Sequence, residues 1–231
     1  YNTFFLKKFM LDNYYKSAKE RADIGIPPLP LDANQTSQLV ELIKKAKDKD
    51  EELLELLTER VPAGVDDAAY IKAAFLADVA KRKIETKLFT PEEATFYLGT
   101  MLGGYNVEPL ISLIDDEVCG EAAIEALSKT LLVFDAFNDV AELSKTSENA
   151  LKVLTSWANA EWFTSKPEVP QKIETVIFKV PGETNTDDLS PAPDAWSRPD
   201  IPLHALAMYK MPREGLSENP LEEIKKLKEL G

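Results

Sequence analysis

Arg198 is the lone basic residue of the segment 181–200, where it stands among Glu183, Asp187, Asp188, Asp194 and Asp200. A guanidinium presents a planar fork of donors that grips a carboxylate on two sides, a geometry lysine cannot copy, so Arg198 is a candidate for binding an acidic ligand. The same composition supports a second reading, in which Arg198 offsets neighbouring carboxylates and orders the loop. Thr186, Asp187 and Ser190 are likewise types that cap and turn a backbone as well as types that do chemistry. His204, in Ile-Pro-Leu-His-Ala-Leu-Ala-Met, reads as a packed or capping histidine rather than a base. Cys119 opens what reads as the longest helix among apolar neighbours and is expected to be an inert small hydrophobe. One cysteine and one histidine in the whole chain cannot make a Cys/His metal site or hold an iron-sulfur cluster, so no metal ligands are expected here.

The elements that must position these residues fall into two textures. From Met10 to about Ser165 the signals are helical. Asp32 with Gln35 forms a capping-box pattern ahead of Leu39, Val40, Leu42 and Ile43, which share a helical face. Leu53, Leu54, Leu56 and Leu57 predict a second helix ending at Val61-Pro62, and Asp66 opens a third with Ile71, Ala74, Phe75 and Val79 as its stripe. Thr90-Pro91-Glu92-Glu93 is the clearest start signal, and Gly103-Gly104 the stop that follows it. A short helix is expected over 107–114, a longer one through Ile124, Leu127, Leu131 and Phe134, and another opened by Ser147 and reaching Trp162. Trp157, Trp162 and Phe163 read as one aromatic cluster at the end of this half. About seven amphipathic helices joined by short turns suit either a bundle or an α-solenoid of helix pairs.

Pro167 and Pro170 mark a linker over 166–172. Beyond it, residues 173–180 are β-branched and uninterrupted, which predicts a strand. Residues 181–200 are polar and proline-rich and are expected to be a long functional loop without regular structure. A short helix over 203–210 and a final one from Pro220 to Leu230 complete the chain. The first nine residues precede Met10, which reads like a natural start, and are expected to be an upstream extension. The predicted organisation is an extension at 1–9, a helical domain at 10–165, a linker at 166–172 and a second domain at 173–231.

Composition narrows the class. The 231 residues carry 27 Lys and Arg against 40 Asp and Glu, a net charge of −13, which argues against strong nucleic-acid binding. No apolar run approaches the ~18 residues a bilayer helix needs. With a hydrophobic fraction of 44% the chain can bury a real core. A single cysteine excludes an internal disulfide, and no stretch at the start has a signal-peptide layout, so the expected compartment is the cytoplasm.

The run Thr-Asn-Thr-Asp-Asp-Leu-Ser-Pro-Ala-Pro-Asp-Ala-Trp-Ser-Arg-Pro-Asp-Ile-Pro-Leu-His-Ala-Leu-Ala-Met at 184–208 resembles the start of the swivelling domain of the bacterial aconitase B family. Pro-Leu-Asp-Ala-Asn-Gln at 30–35, Arg-Val-Pro-Ala-Gly-Val-Asp at 60–66, Leu-Gly-Thr-Met-Leu-Gly-Gly-Tyr-Asn at 98–106 and Ser-Trp-Ala-Asn-Ala-Glu-Trp-Phe at 156–163 resemble that family's N-terminal HEAT-like domain. The resemblance implies an α+β chain, an all-α HEAT-like domain followed by the beginning of a β/β/α swivelling domain. It implies the N-terminal part of an aconitate hydratase of the tricarboxylic acid cycle, a hydro-lyase that interconverts citrate and isocitrate through cis-aconitate. Members of the family also hydrate 2-methyl-cis-aconitate.

Carried over by motif, Arg198 matches the family's swivel-domain arginine that binds a substrate carboxylate. Asp187 matches the acidic residue of the Thr-Asp-x-[Ile/Leu]-Ser-Pro-Ala motif beside the active site, and is the implied catalytic residue. Ser197, adjacent to Arg198, is a further implied substrate contact. The family's [4Fe-4S] cluster is implied for the full-length enzyme, with its three cysteine ligands, and a Gly-Ser-Ser-Arg loop, outside these residues. The fragment by itself is therefore expected to be inactive. Implied partners are citrate, isocitrate and cis-aconitate, with self-association through the helical domain. The alternative from a different class is a free-standing helical-repeat module that binds a protein partner and does no chemistry.

Overall fold

The structure, a computed structural model, describes residues 2–230. It divides into two compact units, one of residues 1–18 and 29–167, the other of residues 19–28 and 168–231. The division at 167/168 falls inside the proline-bearing stretch 166–172. No sequence signal announced that residues 19–28 belong with the second unit. Of the first nine residues, Tyr1 lies outside the described residues, and the others start helix α1, Asn2–Ala22, which runs unbroken through Met10.

The first unit is helical. After α1 come α2 (Ala33–Lys45), α3 (Glu51–Glu55), α4 (Asp67–Ala80), α5 (Pro91–Gly99), α6 (Val107–Ile111), α7 (Gly120–Lys129), α8 (Ala136–Leu143), α9 (Glu148–Ala158) and α10 (Glu161–Thr164). Local chemistry starts several of them. Asp32 and Gln35 close a reciprocal capping box on α2, with 2.8 Å from the Gln35 amide to the Asp32 carboxylate, and Thr90 and Glu93 do the same on α5. Asp66 accepts from Ala68 and Ala69 at the start of α4, and Ser147 from Ala150 at the start of α9. Each such bond satisfies an amide that the helix itself leaves without a partner.

Packing runs serially, with α4 against α2 and α5, α5 against α7, α7 against α9, and α8 against α9. Leu39, Ile43, Leu57, Leu76, Leu98, Leu110, Ile114, Leu127 and Val140 are fully buried along that series. The α5–α7 contact is close enough to need a glycine, because a Cβ on Gly99 would lie 2.6 Å from that of Ala126. Gly103, at φ +116°, makes an isolated bridge to Leu132 at a spacing no side chain would tolerate. Among the residues whose burial is described, it extends to one charge. Lys72 is 1% exposed, its ammonium donates to the Thr58 carbonyl at 3.4 Å, and burial pulls its pKa below the ordinary lysine value. Thr58 lies in a π turn, Leu56–Arg60, that continues α3.

Several expectations are corrected. The helix expected to reach Phe134 stops at Lys129, and Phe134 has a left-handed backbone at φ 45°, which no continuing helix accommodates. Cys119 caps a helix of 10 residues, not the longest one, which is α1 with 21. The helix opened by Ser147 ends at Ala158, because Ala160 turns left-handed before Trp162. The aromatic cluster is split, with Trp157 stacked on Phe137 at 5.9 Å and Trp162 set against Phe163.

In the second unit no strand occurs among the described residues. The expected strand at 173–180 is unassigned chain with Ile173 and Ile177 exposed. A β-branched run supplies the extended preference, but a strand exists only where a second one pairs with it, and none does here. Conversely, the segment expected to lack regular structure contains α11 (Thr186–Leu189) and a 3₁₀ turn, Ala192–Ser197. The helix expected over 203–210 is α12, Ile201–Ala205, started earlier by Asp200, which accepts from the Leu203 amide at 3.2 Å. Helix α13, Pro220–Lys228, closes the chain.

Candidate functional site

Helix α11 carries Asp187 and is fixed at its first turn. Asn185 caps it by accepting from the Asp187 amide at 2.8 Å and the Asp188 amide at 3.1 Å, and its own amide donates in turn to the Asp188 carboxylate at 2.9 Å. Asp188 is then tied to Arg213, whose guanidinium also donates to the carbonyls of Pro181 (2.8 Å) and Glu183. That one side chain pins both ends of the turn leading into the helix. Asp187, one residue earlier, is exposed, and its carboxylate makes no hydrogen bond or ion pair among the described residues.

The 3₁₀ turn brings Ser197 and Arg198 round, and α12 supplies His204. The His204 ring lies between two hydroxyls, with Nε2 2.8 Å from Ser190 Oγ and Nδ1 2.8 Å from Ser197 Oγ. Ser197 is 5% exposed and donates to the Asp194 carbonyl at 2.8 Å, so its hydroxyl faces inward and is fully used. Arg198 is exposed, with Nε donating to Ser190 Oγ at 3.2 Å and Nη2 reaching the Ser190 carbonyl at 3.5 Å.

Three of the loop's carboxylates take other cations. Arg21 grips Asp200 with two bonds of 2.6 and 3.0 Å, Lys210 holds Asp194 at 2.8 Å, and Arg213 holds Asp188. The Arg21 guanidinium holds the Asp200 carboxyl below the ordinary carboxylate range, and the two are part-buried together. Among the described residues no carboxylate lies within ion-pair distance of Arg198. The reading of Arg198 as counter-ion for Asp194 or Asp200 is therefore set aside, because both are satisfied elsewhere.

Sequence reasoning singled out Asp187, Ser197 and Arg198, and the structure brings the last two together with Ser190 and His204. It gave His204 a packing role and missed its pairing with two serines. Arg21, 179 residues from its partner, carries no local signal at all. Cys119 is buried, its thiol faces the Ala80 carbonyl at 3.6 Å, and burial pushes its pKa up. No group of three or more His, Cys, Asp or Glu among the described residues is arranged to hold a metal. A thiol that is alone, buried and disfavoured as thiolate does not suit an iron-sulfur cluster, so the described residues do not fit that group. Among the described residues no helix is long and apolar enough to cross a membrane.

The described residues thus comprise a helical unit and a tightly tied polar loop that carries an exposed arginine. Residues 13–163 match the family described as Aconitate B N-terminal domain, and residues 175–231 match Aconitate hydratase 2 N-terminus. The chain belongs to the aconitate hydratase B family and corresponds to the N-terminal region of its members. It is 55% identical to aconitate hydratase B of Escherichia coli K12 over 96% of this chain and 27% of that protein. The same-named protein of Pseudomonas aeruginosa PAO1 is 54% identical, over 96% and 26%. That of Synechocystis is 56% identical, over 90% and 24%. The chain thus spans about a quarter of the length of these relatives.

Proposed function

We propose that these residues form the N-terminal part of an aconitate hydratase that interconverts citrate and isocitrate through cis-aconitate, and that Arg198 binds one substrate carboxylate. The observation that carries the reading is that Arg198 is exposed and has no carboxylate partner among the described residues, while Asp188, Asp194 and Asp200 each have another cation. A tricarboxylate needs fixed cations that hold it in one orientation, and a guanidinium left unneutralised in a braced loop offers one. Asp187, exposed on a helix pinned through Asp188, is the proposed catalytic carboxylate. Ser197, implied by the resemblance as a substrate contact, is buried with its hydroxyl on the Asp194 carbonyl, and its contribution on this reading is to hold the turn that presents Arg198.

The second unit is read as the beginning of a β/β/α swivelling domain, with 173–180 as a strand once a partner strand is present. The first is read as a HEAT-like accessory domain for access and self-association. Its exposed Val65, Phe96 and Leu102 supply apolar surface for the latter. Cluster chemistry belongs, on this reading, to residues outside the chain, and the site of action is cytoplasmic. A free-standing interaction module would have no use for a braced arginine in a polar loop. The test is the full-length protein with Arg198→Ala, followed through the absorbance of cis-aconitate. Wild type should turn over both citrate and isocitrate and the variant should lose at least ~100-fold in kcat/KM. Undiminished turnover in the variant would remove Arg198 from the substrate.

A further inference from the structure

The bonds around His204 fix more than its position, because each proton can be followed to an acceptor. Ser197 has one hydroxyl proton and gives it to the Asp194 carbonyl, so toward His204 its oxygen accepts, and Nδ1 must carry a hydrogen. Ser190 Oγ already accepts from Arg198 Nε, which leaves its own proton for Nε2 of a neutral ring. The resulting chain is directional. Arg198 Nε–H donates to Ser190, Ser190 O–H to His204 Nε2, His204 Nδ1–H to Ser197, and Ser197 O–H to the Asp194 carbonyl. An imidazolium would instead point a second cationic N–H at Ser190 beside the arginine, and the Ser190 proton would lose its acceptor.

The backbone under this chain is held as well. Asp200 caps α12, which carries His204, and Arg21 locks Asp200 from residues 19–28 of the same unit. Lys210 holds Asp194 from the far side. Ser190 is set by its amide, which donates to the Thr186 carbonyl at 2.8 Å, so the hydroxyl on which Arg198 rests is anchored to α11.

We propose that His204, as the neutral Nδ1–H tautomer, is a positioning residue that orients the Arg198 guanidinium through Ser190. It touches no substrate. Its role is to fix the Ser190 hydroxyl with the oxygen turned toward Arg198, so that the outer edge of the guanidinium is presented in one direction. The proposal rests on the reading that Arg198 binds a substrate carboxylate, and the two are separable by experiment.

His204 is the only histidine of the chain, so ¹⁵N-histidine labelling of the 231 residues gives a single imidazole signal pattern. The expected pattern is a protonated Nδ1 and a bare, hydrogen-bonded Nε2, and in a ¹⁵N-arginine sample a slowly exchanging Arg198 Nε–H. An Nε2–H tautomer, or the averaged pattern of a free ring, would overturn the proposal. His204→Ala should release the Arg198 Nε–H to fast exchange. His204→Gln, whose amide oxygen can reach the Nε2 position and accept from Ser190, should restore it, whereas His204→Asn, which reaches only the Nδ1 position, should not. Far-ultraviolet circular dichroism checks that each variant keeps its helices, and Ser190→Ala gives a second route to the same loss if His204→Ala does not fold.

In the full-length protein His204→Ala should lower kcat by about tenfold with KM changed by no more than about twofold, since charge attraction survives while orientation is lost. His204→Gln should recover most of that. A lower melting temperature with unaltered kcat and a protected Arg198 Nε–H would reduce His204 to a packing residue. If the Nε–H responds as described but neither Arg198→Ala nor His204→Ala changes turnover, the relay stands and the carboxylate-binding reading falls.

Discussion

The two units hold their geometry by different means. The first buries leucine, isoleucine, valine and alanine along a series of helices, down to 0% exposure at Leu39, Leu76, Leu98 and Leu127. The second buries little that is apolar and is tied by polar bonds between residues far apart in sequence, Arg21 to Asp200, Asp188 to Arg213, Asp194 to Lys210 and His204 to two serines. An apolar core loses stability with each methylene removed and draws little on bond direction, whereas hydrogen bonds fix direction at modest net stability. A loop that must aim one guanidinium benefits from the second means. A helical stack that must only persist is served by the first.

The largest effect that separates the units is expected in the core. Leu98→Ala should destabilise the helical unit by about 2–5 kcal/mol, the range for a large-to-small change at a fully buried site. It should leave the His204 imidazole signals where they are. Thermal unfolding read by circular dichroism and the histidine spectrum on one sample check both halves of that statement, and a shift of the imidazole signals below the transition would mean the two regions are not held independently.

In the second unit Arg213→Met removes the partner of a part-buried Asp188 and two carbonyl contacts. The cost should be about 1–3 kcal/mol, the penalty for orphaning such groups. It should appear as faster hydrogen exchange at the Asp187 and Asp188 amides and faster proteolysis within 181–190, with the helical unit unchanged. Equal protection in the variant would mean the turn is held by something other than Arg213.

Acid sharpens the contrast by a smaller amount. The Asp200 carboxyl is held below its ordinary value by Arg21, and that of Asp116 by Arg82 and by the amides of Cys119 and Val118. A depressed folded value means that the stabilisation is complete above the ordinary carboxylate range, about pH 4, and is lost as pH falls through the folded values. Both units should therefore weaken in acid. The loss from Leu98→Ala should be the same at pH 7 as at about pH 4, because nothing titrates there. Lys72 has the same sign in a higher window, since burial lowers its folded value below that of the unfolded chain, and the helical unit should gain stability as pH rises toward about 10.5.

The same contrast decides what could be read from the chain in advance. Capping boxes at Asp32 and Gln35 and at Thr90 and Glu93 involve residues three apart, so the sequence carries both partners in one glance. Helix ends were less legible, because the left-handed turns at Phe134 and Ala160 bear no glycine to mark them. In the second unit Arg198 stood out by composition, yet the reason it is left unpaired lies with Arg21 and Lys210, whose distances of 179 and 16 residues no periodicity encodes. The expected strand at 173–180 misled for a related reason, since β-branched residues announce an extended backbone but not the presence of a partner.

The most direct measurement is Arg198→Lys in the full-length protein, with kcat/KM for isocitrate and the melting temperature taken on the same preparation. Lysine keeps the charge and loses the two-pronged bond, so transition-state stabilisation should fall by about 2 kcal/mol or more, the scale of a charge-assisted contact. The melting temperature should stay within about a degree, because Arg198 is exposed and pairs with no carboxylate among the described residues. Near wild-type kinetics together with a lowered melting temperature would contradict the central claim and return Arg198 to the role of a loop-ordering cation.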